Sequence, residues 1–247
     1  MAGPASQPHR IQTRGRLRSR IAKPLLDLLF PPHCVACGRL GSWFCDDCIG
    51  KIQMQLPPLC VVCGKPLTSG GTCKQCQRDP LPLDGLRSVA DYQGPLRQAI
   101  HALKYEGVRV LAAPLGDLMA DYVARLSLPA DVLVPVPLHP ARERKRGYNQ
   151  SRLLAHAIAN RIGLPVVEAL ARERNTPAQV HLSRHQRLAN VQGAFRATGA
   201  DLCGQRVLLI DDVCTTGATL AACAHALAPS RPRSIWALTL ARAYKSP

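Results

Sequence analysis

Two adjacent carboxylates, Asp211 and Asp212, end the apolar run Val207-Leu208-Leu209-Ile210 and stand just ahead of Val213-Cys214-Thr215-Thr216-Gly217-Ala218-Thr219. A continuous apolar stretch bounded by a glycine-containing turn suits a buried parallel strand, and the alanine-rich segment 217–228 suits the helix that leaves it. The free N–H groups and positive dipole end of such a helix favour an anion, so a phosphate is expected there. Thr215, Thr216 and Thr219 add hydroxyl donors, and Gly217 and Ala218 complete a small turn. Two carboxylates repel that phosphate. Their partners are instead the vicinal hydroxyls of a ribose, or a magnesium ion beside it. The run reads as a ribose-phosphate cradle, and neither a P-loop nor a dinucleotide fingerprint occurs in the chain.

A second chemistry lies in the cysteines. Of the 11 in the chain, eight form four Cys-x-x-Cys pairs: Cys34 and Cys37, Cys45 and Cys48, Cys60 and Cys63, Cys73 and Cys76. Each such turn offers two thiolates to one tetrahedral ion, and two turns close a structural zinc site with no open position. Cys37-Gly38 and Cys63-Gly64 repeat one knuckle, so the module is an internal duplication. Sequential pairing assigns the first four cysteines to one zinc and the last four to another; interleaved pairing and a single site remain open. A redox dithiol fits less well, because such motifs occur singly. With few large apolar residues beyond Trp43 and Phe44, the segment must draw much of its folding energy from metal, on the order of 10 kcal/mol per ion. Cys203, Cys214 and Cys223 are expected to be buried small residues.

The third candidate is the basic run Arg142-Glu143-Arg144-Lys145-Arg146-Gly147-Tyr148-Asn149-Gln150, taken as a loop. Arg144, Lys145 and Arg146 suit a pyrophosphate, the guanidinium as a bidentate donor and the ammonium as a point charge. A solvated basic loop and a nucleic-acid footprint are the competing readings.

These residues need elements to position them. From Gly94 onward helical and strand patterns alternate, as a doubly wound parallel sheet requires. Apolar faces at Leu96, Ala99, Ile100 and Leu103, then at Leu111, Leu115, Leu118, Met119, Tyr122 and Leu126, mark two helices, with a third over 149–162. Strands are expected at 131–136, 165–167, 206–210 and 234–240, so that the Asp-Asp turn and the basic run lie beyond their carboxyl ends, where open sheets bind ligands. The divisions expected are a basic tail over 1–24, a double zinc ribbon over 25–82 and an α/β domain over 83–247.

The net charge of +16 in 247 residues favours polyanionic partners. Arg10, Arg14, Arg16, Arg18, Arg20 and Lys23 precede any acid, which fits a frayed tail leading into a short helix at Leu17 to Leu29. No signal peptide is expected, because the early apolar cluster Pro24 to Phe30 is short and contains Asp27, and no apolar run approaches about 20 residues. A cytoplasmic protein without a transmembrane segment is expected, with its thiols reduced.

At the strand, the paired acids and Thr215-Thr216-Gly217-Ala218-Thr219, the chain closely resembles the type I phosphoribosyltransferases. His101-x-Leu103-Lys104-Tyr105-x-Gly107, Pro135-Val136-Pro137-Leu138-His139, Arg146-Gly147-Tyr148-Asn149-Gln150 and the segment 179–195 narrow the resemblance to the ComF family, whose paired zinc ribbon also precedes such a domain. The resemblance implies binding of phosphoribosyl pyrophosphate and a link to natural competence, with single-stranded DNA and a competence helicase as partners. It further implies a flexible loop over 175–193 in which Arg184, His185 and Arg187 meet pyrophosphate, and a hood, here the zinc module with residues 80–95, that chooses the acceptor.

Two functions follow from this reading. One is a transferase in which magnesium chelates pyrophosphate, Asp211 and Asp212 hold the ribose, and a nitrogen nucleophile displaces the leaving group. The other is a non-catalytic nucleic-acid-binding or regulatory protein that uses the phosphoribosyl site for a ligand or a strand end. The scarcity of aromatics, two Trp, three Phe and five Tyr, weighs against the second.

Overall fold

The computed structural model describes residues 31–175, 191 and 193–244. The basic tail, the apolar cluster at Leu17 to Leu29 and most of the segment 175–193, Arg184, His185 and Arg187 included, lie outside the described residues.

Two short helices, α1 (Asp46–Gly50) and α2 (Lys74–Arg78), belong to the cysteine module. Then follow β1 (Gly85–Asp91), α3 (Gly94–Tyr105), α4 (Ala112–Leu126), β2 (Val132–Pro135), α5 (Pro140–Arg146), α6 (Gln150–Ile162), β3 (Leu170–Arg172), β4 (Phe195–Ala197), β5 (Arg206–Cys214), α7 (Ala218–Leu227) and β6 (Ser234–Arg242). The main sheet runs β1-β6-β5-β2, and each neighbouring pair is parallel. A separate antiparallel pair joins β3 to β4.

Strand periodicity splits the core into two halves. Leu133, Leu208, Ile210, Leu238 and Leu240 pack on one face with α3, α4 and α6. Val132, Val134, Val207, Leu209 and Ala237 pack on the other with α7 and the β3–β4 pair.

Three expectations need correction. The signature strand does not stop at its apolar run but continues through the two acids to Cys214, because β6 pairs with it as far as Arg242. Residues 85–91 are not part of a hood. They form β1, an edge strand of the main sheet, where Ser88 is buried and its hydroxyl meets that of Thr239 at 2.8 Å. The segment 165–167 contributes only an isolated bridge from Val166 to Leu133.

The element that overlies the carboxyl end of the sheet is α3. It starts just beyond the end of β1, and its last turn reaches Asp212 at the end of β5 through Lys104.

Candidate phosphoribosyl site and zinc ribbons

Each group of four cysteines converges on one point, in sequential pairing: Cys34, Cys37, Cys45 and Cys48, then Cys60, Cys63, Cys73 and Cys76, with the sulfurs of each group within 4.8 Å of one another. A tetrahedral zinc with sulfur at about 2.3 Å sets its ligands about 3.8 Å apart. The Sγ separations of 3.6 Å for Cys37 and Cys45, and 3.7 Å for Cys63 and Cys73, fit that ion.

The knuckle is repeated bond for bond. Cys34 N–H donates to Arg39 and Gly38 N–H to Cys34 (both 2.8 Å); Cys60 N–H donates to Lys65 (2.8 Å) and Gly64 N–H to Cys60 (2.9 Å). Gly38 and Gly64 both carry positive φ, +76° and +69°. Burial pushes the Cys34 and Cys60 thiols up, but backbone N–H groups aimed at their sulfurs outweigh it and hold each at about 6. One thiolate per group is thus favoured before metal arrives. Of the other cysteines, Cys214 and Cys223 are buried as expected; Cys203, in the turn before β5, is exposed instead.

Asp211 and Asp212 are neighbours on β5, so their side chains leave opposite sides of the strand. Asp211 lines a recess shared with Cys214, Thr215, Thr216, Gly217 and Thr219. Asp212 faces α3 and is buried, at 2.7 Å from Lys104 Nζ. Burial first, and then the charge of Asp212, push Asp211 up to about 7, against the opposing pull of Lys104, the Asp212 N–H and the Ser151 hydroxyl. Ser151 donates to Asp211 at 2.8 Å. Burial works against the charge of Lys104, yet Asp212 and, behind it, Asp211 hold its pKa above the ordinary value.

Beyond the strand, Gly217 adopts φ +84° and caps α7, whose first residues line the recess; the Ala218 N–H donates to Thr216 Oγ1 at 3.4 Å. Thr215, Thr216, Gly217, Ala218 and Thr219 are therefore gathered as expected. A side chain at position 217 would meet Leu81 at 3.0 Å, so the turn is backed by the segment that leaves the second ribbon.

The basic run is helical over Pro140–Arg146, not a loop. Pro140 occupies the first turn, the His139 ring accepts from the Ala141 N–H, and Gly147 at φ +82° ends the helix. Arg144 and Lys145 are exposed, while Arg146 turns inward and donates to Gln150. The next turn is held by Asn149, buried, which caps α6 by accepting from Ser151 N–H and donates to the Val136 carbonyl (both 3.0 Å).

Lys104 and Ser151 contact the carboxylates but were not among the residues expected there. Lys104 carries a legible signal: it falls four positions after Ile100, a charge on an apolar helix face.

Fold and site define a class: a parallel α/β domain of phosphoribosyltransferase type behind a double zinc ribbon. Residues 149–246 match the phosphoribosyl transferase domain model, and residues 25–77 the double zinc ribbon domain model. The DNA utilization protein YhgH of Salmonella typhimurium is 38% identical over 162 residues, 63% of this chain and 70% of that one. Competence protein ComFC of Bacillus subtilis is 28% identical over 80% of this chain and 83% of its own length, and competence protein F of Haemophilus influenzae 30% identical over 60% and 68%. The chain belongs to the ComF family.

Proposed function

We propose that the chain binds phosphoribosyl pyrophosphate, or the ribose 5-phosphate within it, at the carboxyl end of β5. The observation that carries this reading is Asp211 beside the Thr215–Thr219 turn: one reachable carboxylate for ribose hydroxyls next to a helix start for the 5-phosphate. Asp212 acts behind it by holding Lys104 in place. Arg144, Lys145 and Arg146 are the pyrophosphate side, together with Arg187 from outside the described residues. Magnesium would arrive with the pyrophosphate. Asp211 is the carboxylate of the pair that lines the recess, so phosphate oxygens and water would supply most of its ligands.

A site of this kind supports transfer of the phosphoribosyl group to a nitrogen acceptor, with catalysis mainly electrostatic: cations stabilise the departing pyrophosphate and the carboxylate side favours positive charge on the sugar. The relatives are named for DNA utilization and competence, which supports a role in DNA handling. Calorimetric titration of the full chain with phosphoribosyl pyrophosphate and magnesium tests the reading. Wild type should bind, and Asp211→Asn should weaken binding about tenfold or more, as expected for a lost hydrogen bond to a charged group. Absence of wild-type binding overturns it.

A second reading, nucleic-acid recognition independent of the sugar site, is favoured by the exposed Arg144 and Lys145 on α5. Single-stranded DNA binding that falls steeply with salt and is indifferent to Asp211→Asn would establish it.

A further inference from the structure

Tyr105, the last residue of α3, is 68% exposed, more than Trp43 at 42% or Tyr244 at 45%. It follows Lys104 directly, so the ring stands at the rim of the site rather than on a remote surface. Its neighbours are fixed by their own bonds. The Arg146 guanidinium lies 5.5 Å from the ring centroid and is anchored to Gln150. The His101 ring lies 5.0 Å away, tilted by 50°, and its Nδ1 is 2.9 Å from Glu106 Oε1.

Two chains of contact run from this cluster to the carboxylate pair. Lys104 leads to Asp212. Arg146 leads through Gln150 and Ser151 (3.5 Å) to Asp211 (2.8 Å). A ring that stays 68% exposed with a guanidinium over it and an imidazole tilted beside it is suited to a flat heterocycle, which gains stacking and cation–π attraction together.

We propose that Tyr105 is a stacking platform for a nucleobase at the mouth of the phosphoribosyl site, with Arg146 and His101 closing around it; this deepens, and rests on, the phosphoribosyl reading. The base comes either from a free nucleobase or nucleoside, or from a nucleotide within a single strand, and Tyr105 serves both in the same way. Arg144 and Lys145, exposed on the same helix as Arg146, would meet the phosphates only in the second case.

Photo-crosslinking of the zinc-loaded full chain tests this with two probes, 5-iodouridine and a short single-stranded oligodeoxynucleotide bearing one 5-iododeoxyuridine. Irradiated iodouracil couples to an aromatic ring stacked on it, and peptide mass mapping locates the bond. The expected result is coupling at Tyr105 with at least one probe. Affinity by fluorescence anisotropy or competition should fall about tenfold or more in Tyr105→Ala and stay within about threefold in Tyr105→Phe. Coupling of the nucleoside identifies a free base as the guest; coupling of the oligonucleotide alone identifies a base within a strand. The platform is overturned if neither probe couples to Tyr105, or if Tyr105→Ala binds both as wild type does. Titration with phosphoribosyl pyrophosphate separates the two proposals: binding of that ligand without coupling at Tyr105 removes the platform alone, and coupling at Tyr105 without such binding removes the phosphoribosyl reading alone.

Discussion

The two zinc ribbons share one knuckle and differ in what they lean on. The first packs side chains, Phe44 with Val35, Ile49 and Ile52, into the half of the core that contains α3. The second is bonded through its backbone to the sheet: Leu86 N–H donates to Val62 (2.7 Å), the Arg87 guanidinium reaches the Cys60 and Val61 carbonyls, and buried Arg242 donates to Cys63. It lies in the half that holds Cys214 and Ala218 of the signature turn, with Leu81 against Gly217. A duplicated module has thus been used twice for different ends. One copy supports the helix that carries Lys104 and Tyr105; the other supports the turn expected to take phosphate. Metal at the two sites should therefore be felt in different halves of the pocket.

The strongest way to break this comparison is to remove one metal at a time. Cys60→Ser with Cys63→Ser should halve bound zinc and abolish cooperative melting of the sheet, because a loss on the order of 10 kcal/mol is comparable to the whole stability of a domain. Cys34→Ser with Cys37→Ser should also halve the zinc, yet leave a melting sheet. Metal content by mass spectrometry and circular dichroism distinguish the pairs; equal collapse would mean that the ribbons are not specialised.

Next in size is Lys104→Ala, on the side of the first ribbon. It leaves the buried Asp212 carboxylate unpaired and should cost about 3 kcal/mol in chemical denaturation, whereas Lys104→Arg should cost less. A cost under 1 kcal/mol would show that the pair is solvated.

The knuckle glycines sharpen the contrast within one motif. A Cβ at Gly64 would lie 2.4 Å from the Leu86 carbonyl oxygen, while one at Gly38 would meet nothing within 4 Å. Positive φ alone costs an alanine about 1 kcal/mol. Gly38→Ala should lose that much and Gly64→Ala at least about 2 kcal/mol more, since backbone must shift. Equal losses would remove the close contact between the second ribbon and β1.

The last contrast concerns pH. Asp211 has a folded pKa near 7, above the ordinary carboxyl value, so its protonated form favours the fold. That contribution is complete below about pH 4 and is lost as pH rises through 7. Asp211→Asn should therefore melt higher than wild type at pH 8 and no higher at pH 4. A wild-type advantage at pH 8 would refute the raised value.

The signature turn and the cysteine pairs were legible because their chemistry is local: ligand spacing and strand–turn–helix punctuation both lie within a few residues. β1 was not. Its sequence Gly-Leu-Arg-Ser-Val-Ala-Asp alternates poorly, and Ser88 is buried only because Thr239, far along the chain, takes its hydroxyl. The helix over Pro140–Arg146 carries its own boundaries in Pro140 and Gly147, but the repulsion among its cations argues for a loop until Glu143 is seen paired with Arg152 at 2.7 Å. The divergence of the two aspartates follows from letting the strand continue past its apolar run, which required knowing how far β6 extends beside it.

That divergence makes the site unusually vulnerable to one kind of error. Asp211 and Asp212 differ in duty only because successive residues of β5 face opposite ways, and β5 is clamped in register between β2 and β6. Deleting any one residue between Val207 and Ile210 would move Asp212 into the place of Asp211, put Asp211 in the buried place of Ile210 and bring Val213 opposite Lys104. The stretch, fully buried, should accept apolar substitutions of similar volume and length changes not at all.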